Sequence, residues 1–173
     1  GTALSGTQLN PTASVPGSFV YTPAAGTVLN AGAQTLHVAF TPTDTANYNN
    51  ASKDVVINVT PLPITVTADA KSKIYGNTDP ALTYGITSGS LVSGDAFTGA
   101  LTRVAGADVG TYAIQQGTLA LSSNYTLTYV GANFTINPRP ITVTADVQTK
   151  VYGDADPALT YGITSGSLVS GDA

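Results

Sequence analysis

Pro61–Ala96 reads PLPITVTADAKSKIYGNTDPALTYGITSGSLVSGDA, and Pro138–Ala173 reads PRPITVTADVQTKVYGDADPALTYGITSGSLVSGDA. At an offset of 77 residues, 29 of the 36 positions are identical. A match of this length marks one folding unit used again. Inside it, Ile64, Val66 and Ala68 alternate with Thr65 and Thr67. Successive side chains of a strand point to opposite faces, so this period of two predicts a strand with one apolar and one hydroxylated face. Ile141, Val143 and Ala145 repeat the pattern.

The same alternation recurs along the chain. Leu36, Val38 and Phe40 form one inward row; Val55, Ile57 and Val59 form another. Tyr125, Leu127 and Tyr129 alternate with Thr126 and Thr128, and Phe134 with Ile136 closes the second unit. Gly and Pro punctuate these runs at short intervals, and no segment carries a sustained 3.6-residue apolar stripe. Many short strands with regular turn signals predict an all-β sandwich architecture.

The offset of 77 reaches further back. Asn47-Tyr48 falls on Asn124-Tyr125, and Ile57, Val59 and Pro61 fall on Phe134, Ile136 and Pro138. The expected domains are therefore 1–60, 61–137 and 138–173, the first lacking its opening strand and the last holding only the front of a repeat. Two readings account for such ends. One is a piece of a longer repetitive protein. The other is strand donation, in which 138–173 supplies the missing strand of another copy's first domain and builds a head-to-tail fibre.

Thr60-Pro61-Leu62-Pro63 and Asn137-Pro138-Arg139-Pro140 mark the junctions. Pro fixes φ, so Pro61 with Pro63 and Pro138 with Pro140 predict short, extended, stiff linkers and domains set end to end. The prolines also guard an edge strand against mispairing.

Composition narrows the function classes. Charged residues make up 9% of the chain and the net charge is −4, which gives nucleic-acid binding no electrostatic support and speaks against anionic membranes. All ten acidic residues are Asp, and Cys, Met and Trp are absent. A chain without oxidisable sulfur suits an exposed extracellular setting, and it cannot be stapled by disulfides. No apolar run approaches the length of a membrane span.

Catalytic constellations are hard to assemble from these residues. Nucleophilic catalysis needs a nucleophile, a base and an orienting group, and the one histidine, His37, falls between inward Leu36 and Val38 and so faces solvent. The aspartates mostly sit in turns, where their side chains bond nearby backbone. Calcium is the metal such oxygen ligands would take, with Asp79, Asp154 and Asp156 as the candidates. Asn77 in the first copy replaces Asp154 of the second, so the Asp-x-Asp arrangement is not kept in both. Neither an EF-hand nor a nonapeptide calcium signature is present.

The block PITVTAD…YGxxDPALTYGITSGSLVSGD…GTYAI…NYTLTYVGANFTI resembles the MBG-type repeat of large bacterial secreted and surface proteins. The resemblance covers 62–137 in full and 138–173 in part. Tyr75-Gly76-Asn77-Thr78-Asp79-Pro80 and Tyr152-Gly153-Asp154-Ala155-Asp156-Pro157 carry most of it. The stretch FVYTPAAGTVLNAGAQTLHVAFTPTDTANYNNASKDVVINVTP is similar to the bacterial Ig-like repeats found beside MBG repeats. The resemblance implies Ig-like sandwiches in tandem, a bacterial extracellular or cell-surface location, and no catalytic residues.

The expected function is a non-catalytic stalk or spacer segment of a bacterial surface or secreted adhesin. The alternatives are an adhesive module whose loops, such as Asp95–Asp108, bind a glycan or protein, and a fibre-forming subunit. Expected partners are neighbouring domains of the same chain, host or matrix glycans or proteins, and further copies through strand addition. Nucleic acid, membrane insertion of this segment and an obligate cofactor are not expected.

Overall fold

A computed structural model describes residues 1–172. The protein is all-β, with no helix among the described residues. Twelve strands follow in order: β1 Gly17–Thr22, β2 Gly32–Pro42, β3 Ala51–Val59, β4 Leu62–Ala68, β5 Lys71–Ile74, β6 Tyr84–Ser88, β7 Thr102–Arg103, β8 Gly110–Gln115, β9 Tyr125–Val130, β10 Ala132–Asn137, β11 Thr142–Ala145 and β12 Tyr161–Ser165. They form sheets in the orders β1-β2-β3, β6-β4-β9, β5-β10-β8-β7 and β11-β12. Short strands with one apolar row each are what a β-sandwich is built from.

The chain divides into two compact units. The first comprises Gly1–Val66, Ile86–Gly99 and Leu119–Val130. Its N-terminal part is an antiparallel meander in which Phe19 lies opposite Phe40, and Phe40 opposite Ala51. The inward row of β2, Leu36, Val38 and Phe40, is half-buried rather than buried, and Val55 is exposed. The reason is local: no second sheet forms within the first 60 residues. The segment from Gln8 to Val15 lies along this face and leaves an open groove of about 710 Å³ lined by Phe19, Tyr21, Leu36, Val38, Phe40 and Val55, among others. Among the buried hydrophobics, only Leu4 comes from this part. The rest of the unit buries Ile64, Val66, Leu119 and Tyr125.

The second unit comprises Thr67–Gly85, Ala100–Thr118 and Gly131–Ala173. At its centre β10 pairs parallel with β5 and antiparallel with β8. Phe134 and Ile136 of β10 are buried along with Ile114 of β8, while Asn133 and Asn137 face out. The alternation read from the sequence is thus the alternation of burial.

The front of the third repeat folds as the hairpin β11-β12, with Ala145 opposite Tyr161 and Val143 opposite Ile163. It repeats the local bonds of its twin. Thr83 Oγ1 donates to Asp69 at 2.5 Å and Thr160 Oγ1 to Asp146 at 2.7 Å. The Asp69 and Asp146 N–H groups donate to the carbonyls of Thr83 and Thr160. Burial is what differs. Ile64 and Val66 are 1% and 0% exposed; Ile141 and Val143 are 43% and 50% exposed. In the second repeat β4 has a strand on each side, β6 and β9, whereas β11 has only β12.

Candidate functional site

Two joints and one ion cluster contain side-chain hydrogen bonds that span 24 to 97 residues of the chain. The ion cluster forms in the second unit. Lys73, on β5, meets Asp79 Oδ1 at 2.8 Å, and Arg103 Nε donates to Asp79 Oδ2 at 2.6 Å. The two cations hold the Asp79 carboxyl down at about 2, the hydrogen bond from Arg103 being the larger influence and that from Lys73 the next. Arg103 also donates to the carbonyls of Val104 and Gly106, and its guanidinium lies over the rings of Phe134 at 4.7 Å and Tyr112 at 5.5 Å. Arg suits this position because a planar cation can stack and donate at once.

At the first joint, between β3 and β4, Asn124 is the tie. Its Oδ1 accepts the Ala31 N–H at 2.7 Å and its Nδ2 donates to Asn30 Oδ1 at 3.1 Å. Its backbone carbonyl accepts the Leu62 N–H at 2.9 Å. Beside it, Val92 packs so closely on Gly1 that a Cβ there would lie 2.8 Å from a Val92 methyl. The loop carrying Val92 is pinned by Tyr125, whose hydroxyl donates to Asp95 at 2.5 Å and accepts the Val92 N–H at 2.9 Å. The Asp95 bond pushes the Tyr125 hydroxyl above the usual phenol range.

At the second joint, between β10 and β11, Arg139 is the tie. It donates from Nε to the Tyr75 carbonyl at 3.1 Å and from Nη2 to Asn77 Oδ1 at 2.9 Å. Tyr75 donates its hydroxyl to Asp172 at 3.2 Å, and that neighbouring carboxylate raises the phenol. Val169 packs on Gly76, where a Cβ would meet a Val169 methyl at 2.3 Å. Val169 is Val92 displaced by one period, so both joints seat the same valine on a glycine of the preceding segment.

The residues singled out from sequence are distributed as follows. Pro61 lies between β3 and β4, Pro63 is the second residue of β4, and Pro138 and Pro140 lie between β10 and β11. Asp79 is held by Lys73 and Arg103, and Asp156 by Lys150 at 2.5 Å. The Asp154 N–H donates to the Val151 carbonyl in a tight turn. No group of three or more His, Cys, Asp or Glu that could hold a metal ion forms among the described residues. His37 meets Asp54 across the β2–β3 pair at 2.5 Å.

Sequence reasoning missed Asn124, Arg103 and Arg139. A signal existed for Arg139: it occupies one of the seven positions at which the two copies differ, opposite Leu62. A difference inside a near-perfect repeat marks where surroundings differ.

A strand-forming stretch reused at an offset of 77 residues marks a repeat protein. The chain belongs to the MBG domain family of the YGX type, whose family model matches residues 64–135 and 141–173. Repeats of this family are typical of large extracellular bacterial proteins. The match leaves the first 63 residues outside it. No curated protein and no solved structure matches the chain. No helix among the described residues is long and apolar enough to cross a membrane.

Proposed function

We infer that this segment is a non-catalytic spacer of a bacterial surface or secreted adhesin, with an Ig-like domain in residues 1–60 followed by MBG repeats set end to end. The observation that supports this reading most is that both seams are tied by side chains. Each linker is a few residues long, and each is flanked by an amide or guanidinium that bonds the preceding segment at two points. A spacer needs its joints held; a linker of free Gly and Ser would let the domains swing. Solution scattering from chains carrying one, two and three added repeats tests it. The maximum dimension is expected to grow by an equal step per repeat. A dimension that rises as the cube root of mass would overturn the reading.

Fibre formation by strand donation is a second reading, favoured by the uncovered apolar rows of β11 and of the β1-β2-β3 groove. It requires concentration-dependent assembly that disappears when residues 138–173 are removed. Light scattering that reports a monomer at millimolar concentration would reject it.

A further inference from the structure

Tyr75-Gly76-Asn77 recurs as Tyr152-Gly153-Asp154. The first copy is occupied. Val169 sits on Gly76, the Tyr75 hydroxyl bonds Asp172, and Arg139 bonds the Tyr75 carbonyl and Asn77. The second copy has the same backbone shape, with Gly153 at φ +95 against +81 for Gly76, a region that L side chains rarely adopt. Nothing lies within 4 Å of where a Gly153 Cβ would be, and Tyr152 is 102% exposed.

We propose that the Tyr152-Gly153-Asp154 turn is a docking site for another MBG repeat, which presents a Pro-Arg-Pro entry and a Ser-Leu-Val-Ser-Gly-Asp loop. The occupant follows from the filled copy. Its valine covers the glycine, its aspartate takes the tyrosine hydroxyl, and its arginine takes the tyrosine carbonyl and the next side chain. The loop that docks is identical in both repeats, from Ser88 to Gly94 and from Ser165 to Gly171. One aspartate can serve its own repeat and its neighbour together, because Asp95 uses Oδ2 for Tyr125 and Asp172 uses Oδ1 for Tyr75.

The site differs from its twin at one contact. Where Arg139 meets the neutral amide of Asn77, an incoming arginine meets the Asp154 carboxylate. An Arg–carboxylate pair is stronger and more directional than an Arg–amide bond. The Tyr152 turn therefore selects a repeat that enters with arginine over one that enters with leucine, as the second repeat does at Leu62. The inference rests on the spacer reading for its purpose and gives that reading its joint.

The protein lacks cysteine, so an introduced pair reports on itself. The full chain is extended in frame by a second copy of its residues 97–173. Gly153→Cys is combined with Val169→Cys in the added copy; Gly76→Cys with Val169→Cys in the original chain is the reference. A Cβ on Gly76 lies 3.4 Å from the Val169 Cβ, close to disulfide spacing. Both pairs are expected to crosslink under mild oxidant to a similar extent. Crosslinking of the reference alone overturns the proposal, and failure of the reference removes its basis.

A second measurement needs no cysteine. Nitration of Tyr152, followed by mass spectrometry, is expected to be several-fold faster than that of Tyr75 in the original chain and to fall to the Tyr75 rate in the extended one. Asp154→Lys is expected to restore the fast rate. A Tyr152 that reacts equally fast in both chains overturns the docking site. Scattering that shows a compact shape while Tyr152 is protected overturns the spacer reading alone.

Discussion

Arg103 reaches Asp79 across 24 residues of sequence and donates to it at 2.6 Å, while the same guanidinium covers the ring of Phe134. One side chain thus couples an exposed turn to the buried centre of β10. The Asp79–Lys73 pair by itself would be worth little, because surface ion pairs are screened. The ring contact and the two backbone carbonyls give Arg103 its larger share.

Arg103→Ala is expected to lower unfolding stability by about 1–3 kcal/mol, from the lost ring contact and the lost charge-assisted hydrogen bonds. Arg103→Lys should recover part of it, since lysine keeps the charge without the planar fork. The half-exposed twin pair should be nearly silent: Lys150→Ala is expected to change stability by less than about 0.5 kcal/mol. Urea titrations of the three variants check this.

Asp79 sets an acid limb. Its carboxyl falls from the ordinary 3.8 to about 2 in the folded protein. A group with a lowered folded value contributes stability that is complete above the unfolded value and is lost as pH falls toward the folded one. The protein should therefore lose stability between about pH 4 and pH 2, and Asp79→Asn should flatten that limb while lowering stability at pH 7. Denaturation midpoints measured at half-unit steps from pH 2 to pH 7 check both.

Ile64 and Ile141 permit a matched comparison, since the residue and its neighbours in sequence are the same and only the cover differs. Ile64→Ala should cost about 2–5 kcal/mol, as buried aliphatic truncations do. Ile141→Ala should cost less than about 1 kcal/mol. Equal costs would show that the hairpin face is covered in solution.

Tyr125→Phe removes the acceptor of the Val92 N–H and the donor to Asp95. Leaving a partly buried backbone donor without a partner costs about 1–3 kcal/mol. Amide exchange at Val92 should quicken at least tenfold, with little change on β10. Uniform quickening across the chain would instead indicate global unfolding.

The sequence is most legible where burial follows a single strand's period. Ile64 with Val66, and Phe134 with Ile136, could be put on one face of their strands from alternation alone, because successive side chains of a pleated strand point to opposite sides. Alternation orients a side chain without saying whether anything covers it. This is why Ile141 reads like Ile64 yet is exposed, and why Phe40 and Val55 line an open groove. Arg103 and Asn124 were not legible, since their partners, Asp79 and Ala31, lie 24 and 93 residues away and no local pattern links them. The turn aspartates were legible as turn formers. Their pairing with lysine recurs in both copies, Lys73 with Asp79 and Lys150 with Asp156, because the partners lie at the same short spacing in each.

The β11-β12 hairpin closes its turn, its threonine–aspartate pin and its lysine pair with nothing laid over its apolar row. During synthesis the front half of a repeat is made before the back half, and folding generally proceeds from the N-terminus. A segment that finds its own register while waiting is less available to a near-identical neighbour. Paired backbone groups within the hairpin leave fewer of them open to a neighbouring module.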